Sequence, residues 1–158
     1  MPKVPSVSAG LLLFRRRDNR LEIFLAHPGG PFWVKRHTGA WTIPKGLVNE
    51  GESTLVAACR EFKEETGITP IGNFLALGSI KQKAGKTVHA WAWEGDADPT
   101  QTISNTMSME WPKGSGKRLT FPEVDQCAWF ESEEAKVYIN PAQVELIDRL
   151  KALLLQEL

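Results

Sequence analysis

Several features that mark specialised protein classes are scarce in this chain. Cysteine occurs twice in 158 residues, as Cys59 and Cys127. Two separated thiols do not make a disulfide framework, and a reducing cytoplasm is the expected setting. No apolar run approaches the roughly 18–20 residues that cross a bilayer. The opening MPKVPSVSAG lacks the layout of a secretory signal, so no membrane partner is expected. Net charge is missing too: 19 basic and 19 acidic residues cancel, leaving no electrostatic ground for a general nucleic-acid partner. Repeats and composition breaks are absent. The expectation is one domain over residues 1–158, large enough to bury a core without staples, as a monomer or homodimer.

What the chain does have is concentrated between Gly46 and Ile68, where 23 residues carry five glutamates, one arginine and three glycines. Glu61, Glu64 and Glu65 stand at i, i+3 and i+4, which places them on one face of a helix. Carboxylates that close repel unless something positive sits among them. A divalent cation with oxygen ligands suits this, Mg²⁺ in particular, because it takes few carboxylates and shares its other positions with water and substrate phosphates. Leu55, Ala58, Cys59, Phe62 and Thr66 fall on an arc roughly opposite the glutamates, giving an amphipathic helix. Ser53 or Thr54 serves as its N-cap and Gly67 as the residue that ends it. Trp41–Ile43 reads as a short strand, followed by a turn in which Gly46 can present its carbonyl to a cation.

The spacing Gly46, Glu52, Arg60-Glu61-Phe62, Glu64-Glu65, Gly67-Ile68 resembles the Nudix box at every fixed position, so the box spans residues 46–68. Similarity to Nudix hydrolases implies an α/β fold, an α/β/α sandwich with a mixed central sheet and helices on both faces. It implies hydrolysis of a nucleoside diphosphate linked to another moiety, with Mg²⁺ or Mn²⁺ required. By the same resemblance, Gly46, Glu61, Glu64 and Glu65 are the metal ligands, with Glu61 the first choice for the base. Arg60 and Glu52 form an ion pair that orients the helix, and Lys45 is either a phosphate-facing lysine or a plain loop residue. A further metal carboxylate is expected beyond the box; Glu123, six positions before Trp129, fits best, with Glu110 and Asp125 as rivals.

Elsewhere, Ser6–Arg17 and Leu21–His27 read as a hairpin turning at Asp18-Asn19, and Asn73–Lys83 and Lys86–Glu94 as a second across Ala84-Gly85. Asp96–Phe121 reads as a long polar loop, Asp125–Phe130 as the last strand. Asn140-Pro141 opens a helix to about Gln156, with Val144, Ile147, Leu150 and Leu154 as its stripe. Trp91, Trp93 and Trp129 are expected in the core. Trp33 and Trp111 flank the cleft, where each is either a base-stacking platform or a loop anchor. Lys83 and Lys86, with Lys81, are placed to reach distal phosphates or to stand in solvent. His27, His37 and His89 have no ligand spacing and receive no role. The approach Trp41-Thr-Ile-Pro-Lys-Gly, with Lys86-Thr-Val and Glu123…Trp129, looks most like MutT-like and diadenosine tetraphosphate hydrolase-like members. That favours a nucleoside triphosphate or dinucleoside polyphosphate substrate. ADP-ribose or nucleotide-sugar hydrolysis, a non-catalytic nucleotide-binding module, and a cysteine-using isomerase of isoprenoid diphosphates are the alternatives.

Overall fold

The computed structural model of the protein describes residues 6–156. Its centre is β1 (Val7–Arg17), a strand whose side chains are buried from Ser8 to Phe14. Such a run lacks polar alternation because both faces of the strand are covered. Leu12 and Phe14 point to one apolar core with Ile23 and Leu25; Ala9, Leu11 and Leu13 point to the other with Phe24 and Ala26. The chain then reverses at Asp18-Asn19, both at positive φ, which is the primed turn that matches strand twist. It returns as β2 (Arg20–Pro28) antiparallel to β1.

β4 (Phe74–Lys81) and β5 (Thr87–Glu94) form the second hairpin, and β5 lies parallel to β1 along its length. β8 (Val124–Glu131) closes the other edge against β2, so the order is β4-β5-β1-β2-β8. The edge of β1 that faces β2 is shared. Its C-terminal half pairs with β2, and its N-terminal half pairs with β3 (Lys45–Leu47). The expected strand at Trp41–Ile43 is therefore displaced: residues 41 and 42 make only isolated bridges, and the strand carries Lys45 and Gly46 instead. Where β1 and β2 part, the sheet opens, and β3 enters that opening.

One core holds the box helix α1 (Thr54–Thr66); the other holds α2 (Ser132–Tyr138) and α3 (Val144–Leu155). Mixed sheet and two helical layers make the expected α/β/α sandwich. Ser53 caps α1 by accepting from the Val56 N–H at 3.2 Å, and Gly67 ends it at φ 78°, a left-handed conformation that glycine adopts without strain. Asn140 accepts from the Ala142 N–H at 2.9 Å, but the turn it opens is a single 3-10 turn, Pro141–Gln143, ahead of α3. The deeply buried residues of α3 are Leu146, Ile147 and Leu150; Val144 and Leu154 only flank them. Gln143 is wholly buried, accepting from the Ile43 N–H at 3.0 Å and donating to Thr42 Oγ1 at 2.9 Å, which ties the approach to β3 onto the C-terminal layer.

Asp96–Phe121 is not one long loop. Within it β6 (Thr106–Glu110) pairs with β7 (Arg118–Pro122) as a separate two-stranded ribbon, and the second strand runs directly into β8. Its burial is slight, so its sequence carries little apolar periodicity to read. Trp93 lies in the core and Trp91 and Trp129 pack against it. No helix among the described residues is long and apolar enough to cross a membrane.

Candidate functional site

The cleft forms where β3 enters the sheet, beneath α1. The three box glutamates do not share one environment there. Glu61 is 8% and Glu65 4% exposed, whereas Glu64 points outward and is well exposed. The apolar arc of α1 is correspondingly shifted. Ala57, Ala58, Phe62 and Thr66 are buried beside Glu61 and Glu65, while Leu55 and Cys59 are only half-buried. Two acids thus sit within the packed face of the helix rather than opposite it, because β3 brings polar backbone to that end of the core.

Gly46 makes this possible. A Cβ at that position would lie 2.1 Å from the Glu61 carboxyl carbon, so only a glycine lets the carboxylate lie against the strand. Burial pushes the Glu61 carboxyl up, and the nearby Glu64 and Glu123 add to this against the Arg60 bond. Glu65 is pushed further, to about 9, first by burial and then by the charges of Glu123 and Glu61, which Lys45 only partly offsets. Its Oε2 is buried with no hydrogen-bond partner. Buried polar atoms are nearly always paired, so this oxygen, with Glu61, Glu123 and the Lys45 ammonium around it, is open to a further partner, and a hard cation is one that a carboxylate oxygen accepts. Among the described residues no group of three or more carboxylate, imidazole or thiol side chains stands arranged to hold a metal ion.

Arg60 supplies positive charge from the outer side of these acids, as Lys45 does from the cleft. Its Nε and Nη2 reach the two Glu52 oxygens at 2.8 and 2.9 Å, a bidentate pair, and Nη2 also donates to the Leu47 carbonyl at 2.9 Å. Nη1 reaches Glu61 at 2.9 Å and Glu64 at 3.2 Å. The arginine therefore braces the loop before α1 and orients two of the acids from their outer side. Glu52, drawn down to about 2 by the Arg60 bond, stays ionised.

Residues distant in sequence complete the cleft. Glu123, Glu65, Lys45 and Trp33 line one cavity of about 240 Å³. The rivals for the outer carboxylate are engaged elsewhere: Asp125 bonds the His27 Nδ1 at 2.7 Å, and Glu110 accepts from the Gly114 N–H at the ribbon tip. Burial pulls the Lys45 ammonium down against the pull of Glu65, with Lys86 lowering it further. Lys83 and Lys86 share an adjoining cavity with Lys45 and Trp33, whereas Lys81 lines none of these walls. Neither cysteine lines them, and burial pushes Cys127 up to about 11, which leaves no ready thiol for isomerase chemistry.

Two features of the site escaped the sequence. His27, given no role, is 1% exposed and joins β2 and β8 to the following loop, with Asp125 on one ring nitrogen and the Arg36 carbonyl on the other at 2.6 Å. Gly29-Gly30 lets that loop meet the ribbon: a Cβ on Gly29 would lie 1.9 Å from the Pro122 carbonyl oxygen, and one on Gly30 2.6 Å from the Phe121 ring. The Gly-Gly pair was the only available signal.

A domain model described as NUDIX domain matches residues 4–150. The chain belongs to the NUDIX domain family. An RNA pyrophosphohydrolase of Caulobacter vibrioides is 46% identical over 54 residues, 31% of this chain and 31% of that protein. A Caenorhabditis elegans bis(5'-nucleosyl)-tetraphosphatase is 40% identical over 62 residues, 39% and 41% of the two chains. The NUDIX chain thus aligns with less than half the length of these relatives. Solved structures match almost end to end. A C. elegans Ap4A hydrolase binary complex superposes with TM-score 0.65 at 24% identity, over 94% of this chain and 98% of the other. The NUDIX domain of Shewanella oneidensis NrtR, complexed with ADP ribose, gives 0.68 at 15%, over 96% and 90%. At those identities the likeness is one of fold.

Proposed function

We propose that the protein is a divalent-metal-dependent pyrophosphohydrolase acting on a nucleoside diphosphate linked to another moiety, specifically a nucleoside triphosphate or dinucleoside polyphosphate. The reading rests above all on Glu65, a buried carboxylate with one unpartnered oxygen, facing Glu61, Glu123 and Lys45 at the floor of an open cleft. Glu61, Glu64, Glu65, the Gly46 carbonyl and Glu123 are assigned to hold Mg²⁺ or Mn²⁺. When bound, the cation neutralises phosphate oxygens and lowers the pKa of the attacking water.

The remaining work belongs to the chain. Lys45, at the cleft floor, and Lys83 and Lys86, on the adjoining wall, offset the charge of the departing phosphate. Glu61 takes the proton of the water, since its carboxylate is fixed by Arg60 and burial raises its basicity. Arg60 and Glu52 position the box helix and its acids. Trp33 packs against the substrate from the side. The relatives include an RNA pyrophosphohydrolase and a bis(5'-nucleosyl)-tetraphosphatase, and the lysine-lined wall favours a substrate with several consecutive phosphates.

The test is product analysis in ¹⁸O water with Mg²⁺ or Mn²⁺ and a panel of nucleoside triphosphates, dinucleoside polyphosphates, nucleotide sugars and ADP-ribose. Cleavage of the first two classes is expected, with label in one product. Glu64→Gln is expected to lower kcat by orders of magnitude while the fold stays intact. Wild-type turnover in that variant, or products only from ADP-ribose or sugars, overturns the assignment.

A further inference from the structure

We infer that the cleft between the Pro28–Trp33 loop and the β6–β7 ribbon is the nucleobase arm of the substrate site, and that it holds the base by stacking with little discrimination among bases. This rests on the reading of the neighbouring carboxylates as a nucleotide phosphate site. The arm encloses about 460 Å³ and is walled by Phe32, Trp33, Met107, Met109, Trp111 and Phe121. Among its described walls the one charged side chain is Glu123, at the junction with the carboxylate cleft. Trp33 lines the aromatic arm, the carboxylate cleft and the lysine-lined cavity alike. A single ligand therefore has an aromatic berth, a metal-and-acid centre and a cationic berth along one continuous path.

Apolar surface is exposed on both walls: Phe32 of the loop is 48% exposed, and Met107 and Trp111 of the ribbon are 43% and 38% exposed. Both walls are nevertheless held firmly. The Gly29 N–H donates to the Glu123 carbonyl at 2.9 Å, and the Glu123 N–H to the Asn105 carbonyl at 2.9 Å. Phe32 and Trp33 meet in a T-shaped pair at 4.8 Å, and the Arg36 guanidinium lies over the Phe32 ring at 4.2 Å, with Nε donating to the Phe32 carbonyl at 3.1 Å. Anchored aromatic faces with no charged side chain deep in the arm suit the π-face that every nucleobase offers. Discrimination by base edges would need several polar side chains, and this arm presents only the Glu123 carboxylate at its junction and the indole N–H groups of Trp33 and Trp111.

The decisive measurement is calorimetric binding of two non-hydrolysable probes, α,β-methylene-ATP and α,β-methylene-UTP, beside inorganic tripolyphosphate, all with Mg²⁺. Wild-type protein is expected to bind both nucleotides within about threefold of each other, and more tightly than tripolyphosphate. Trp111→Ala is expected to weaken both nucleotides about tenfold to a hundredfold and to leave tripolyphosphate unchanged. Met107→Ala, at a second exposed position, guards against a local failure of the ribbon. Unaltered nucleotide affinity in both variants overturns the arm, as does strong preference for one base. A changed oligomeric state by sedimentation, with nucleotide affinity intact, overturns it in favour of a subunit contact. Failure of the parent reading looks different: wild-type protein would then bind none of the three probes and cleave no nucleotide of the panel.

Discussion

Glu65→Gln, measured in the presence of a chelator, is expected to stabilise the protein, and to do so far more at pH 8.5 than at pH 5. The carboxyl titrates at about 9 in the fold against a reference value of 4.5. Between those values the folded state keeps a proton that the unfolded chain has lost, so stability is greatest below about 4.5 and declines as pH rises to about 9. Each pKa unit corresponds to about 1.4 kcal/mol, which puts the ceiling on this decline on the order of 6 kcal/mol. That is comparable with the whole stability of an ordinary domain, roughly 5–15 kcal/mol. Water entry and relaxation around Glu65 bring the observable loss to a few kcal/mol. Glutamine has nearly the same shape and does not titrate, so the variant should show only the smaller decline that Glu61, also raised, contributes. Denaturant midpoints at the two pH values give both slopes. Adding Mg²⁺ at a hundred times its Kd should restore the wild type by about 2.7 kcal/mol and the variant by less. Equal losses in wild type and variant between pH 5 and 8.5 refute the argument, because they would mean that Glu65 is not a strained buried acid.

Two further outcomes follow from the same geometry. Gly46→Ala should fold, because the displaced group is the flexible end of Glu61, yet it should lose about a hundredfold in kcat as that carboxylate swings away; unchanged turnover would dissociate Glu61 from the chemistry. Glu123→Gln should raise the metal concentration needed for half-maximal activity, whereas Glu110→Gln should not, and a reversal of the two in a Mn²⁺ titration would make Glu110 the outer carboxylate.

The order of elements was legible where a local rule sufficed. Asp18-Asn19 announced its turn and with it the hairpin of β1 and β2, and Ser53 and Gly67 bounded α1. Short elements with weak local signals were not. α2 begins at a Glu131 cap and buries only Ser132 and Ala135, too little for a readable stripe. The β6–β7 ribbon buries almost nothing, and β3 is three residues long.

The site divides along the same line. Spacing along one helix fixes which glutamates are neighbours, so the box and its chemistry class stand in the sequence itself. How those neighbours differ does not. Glu61 and Glu65 are buried and Glu64 is exposed because β3 is threaded into the opening between β1 and β2, which no spacing within α1 records. Glu123, Lys83, Lys86 and Trp33 reach the box only through the sheet order and the Gly29-Gly30 contact with Pro122 and Phe121. Local covalent geometry determined the acids. Long-range packing decided which of them lost their water.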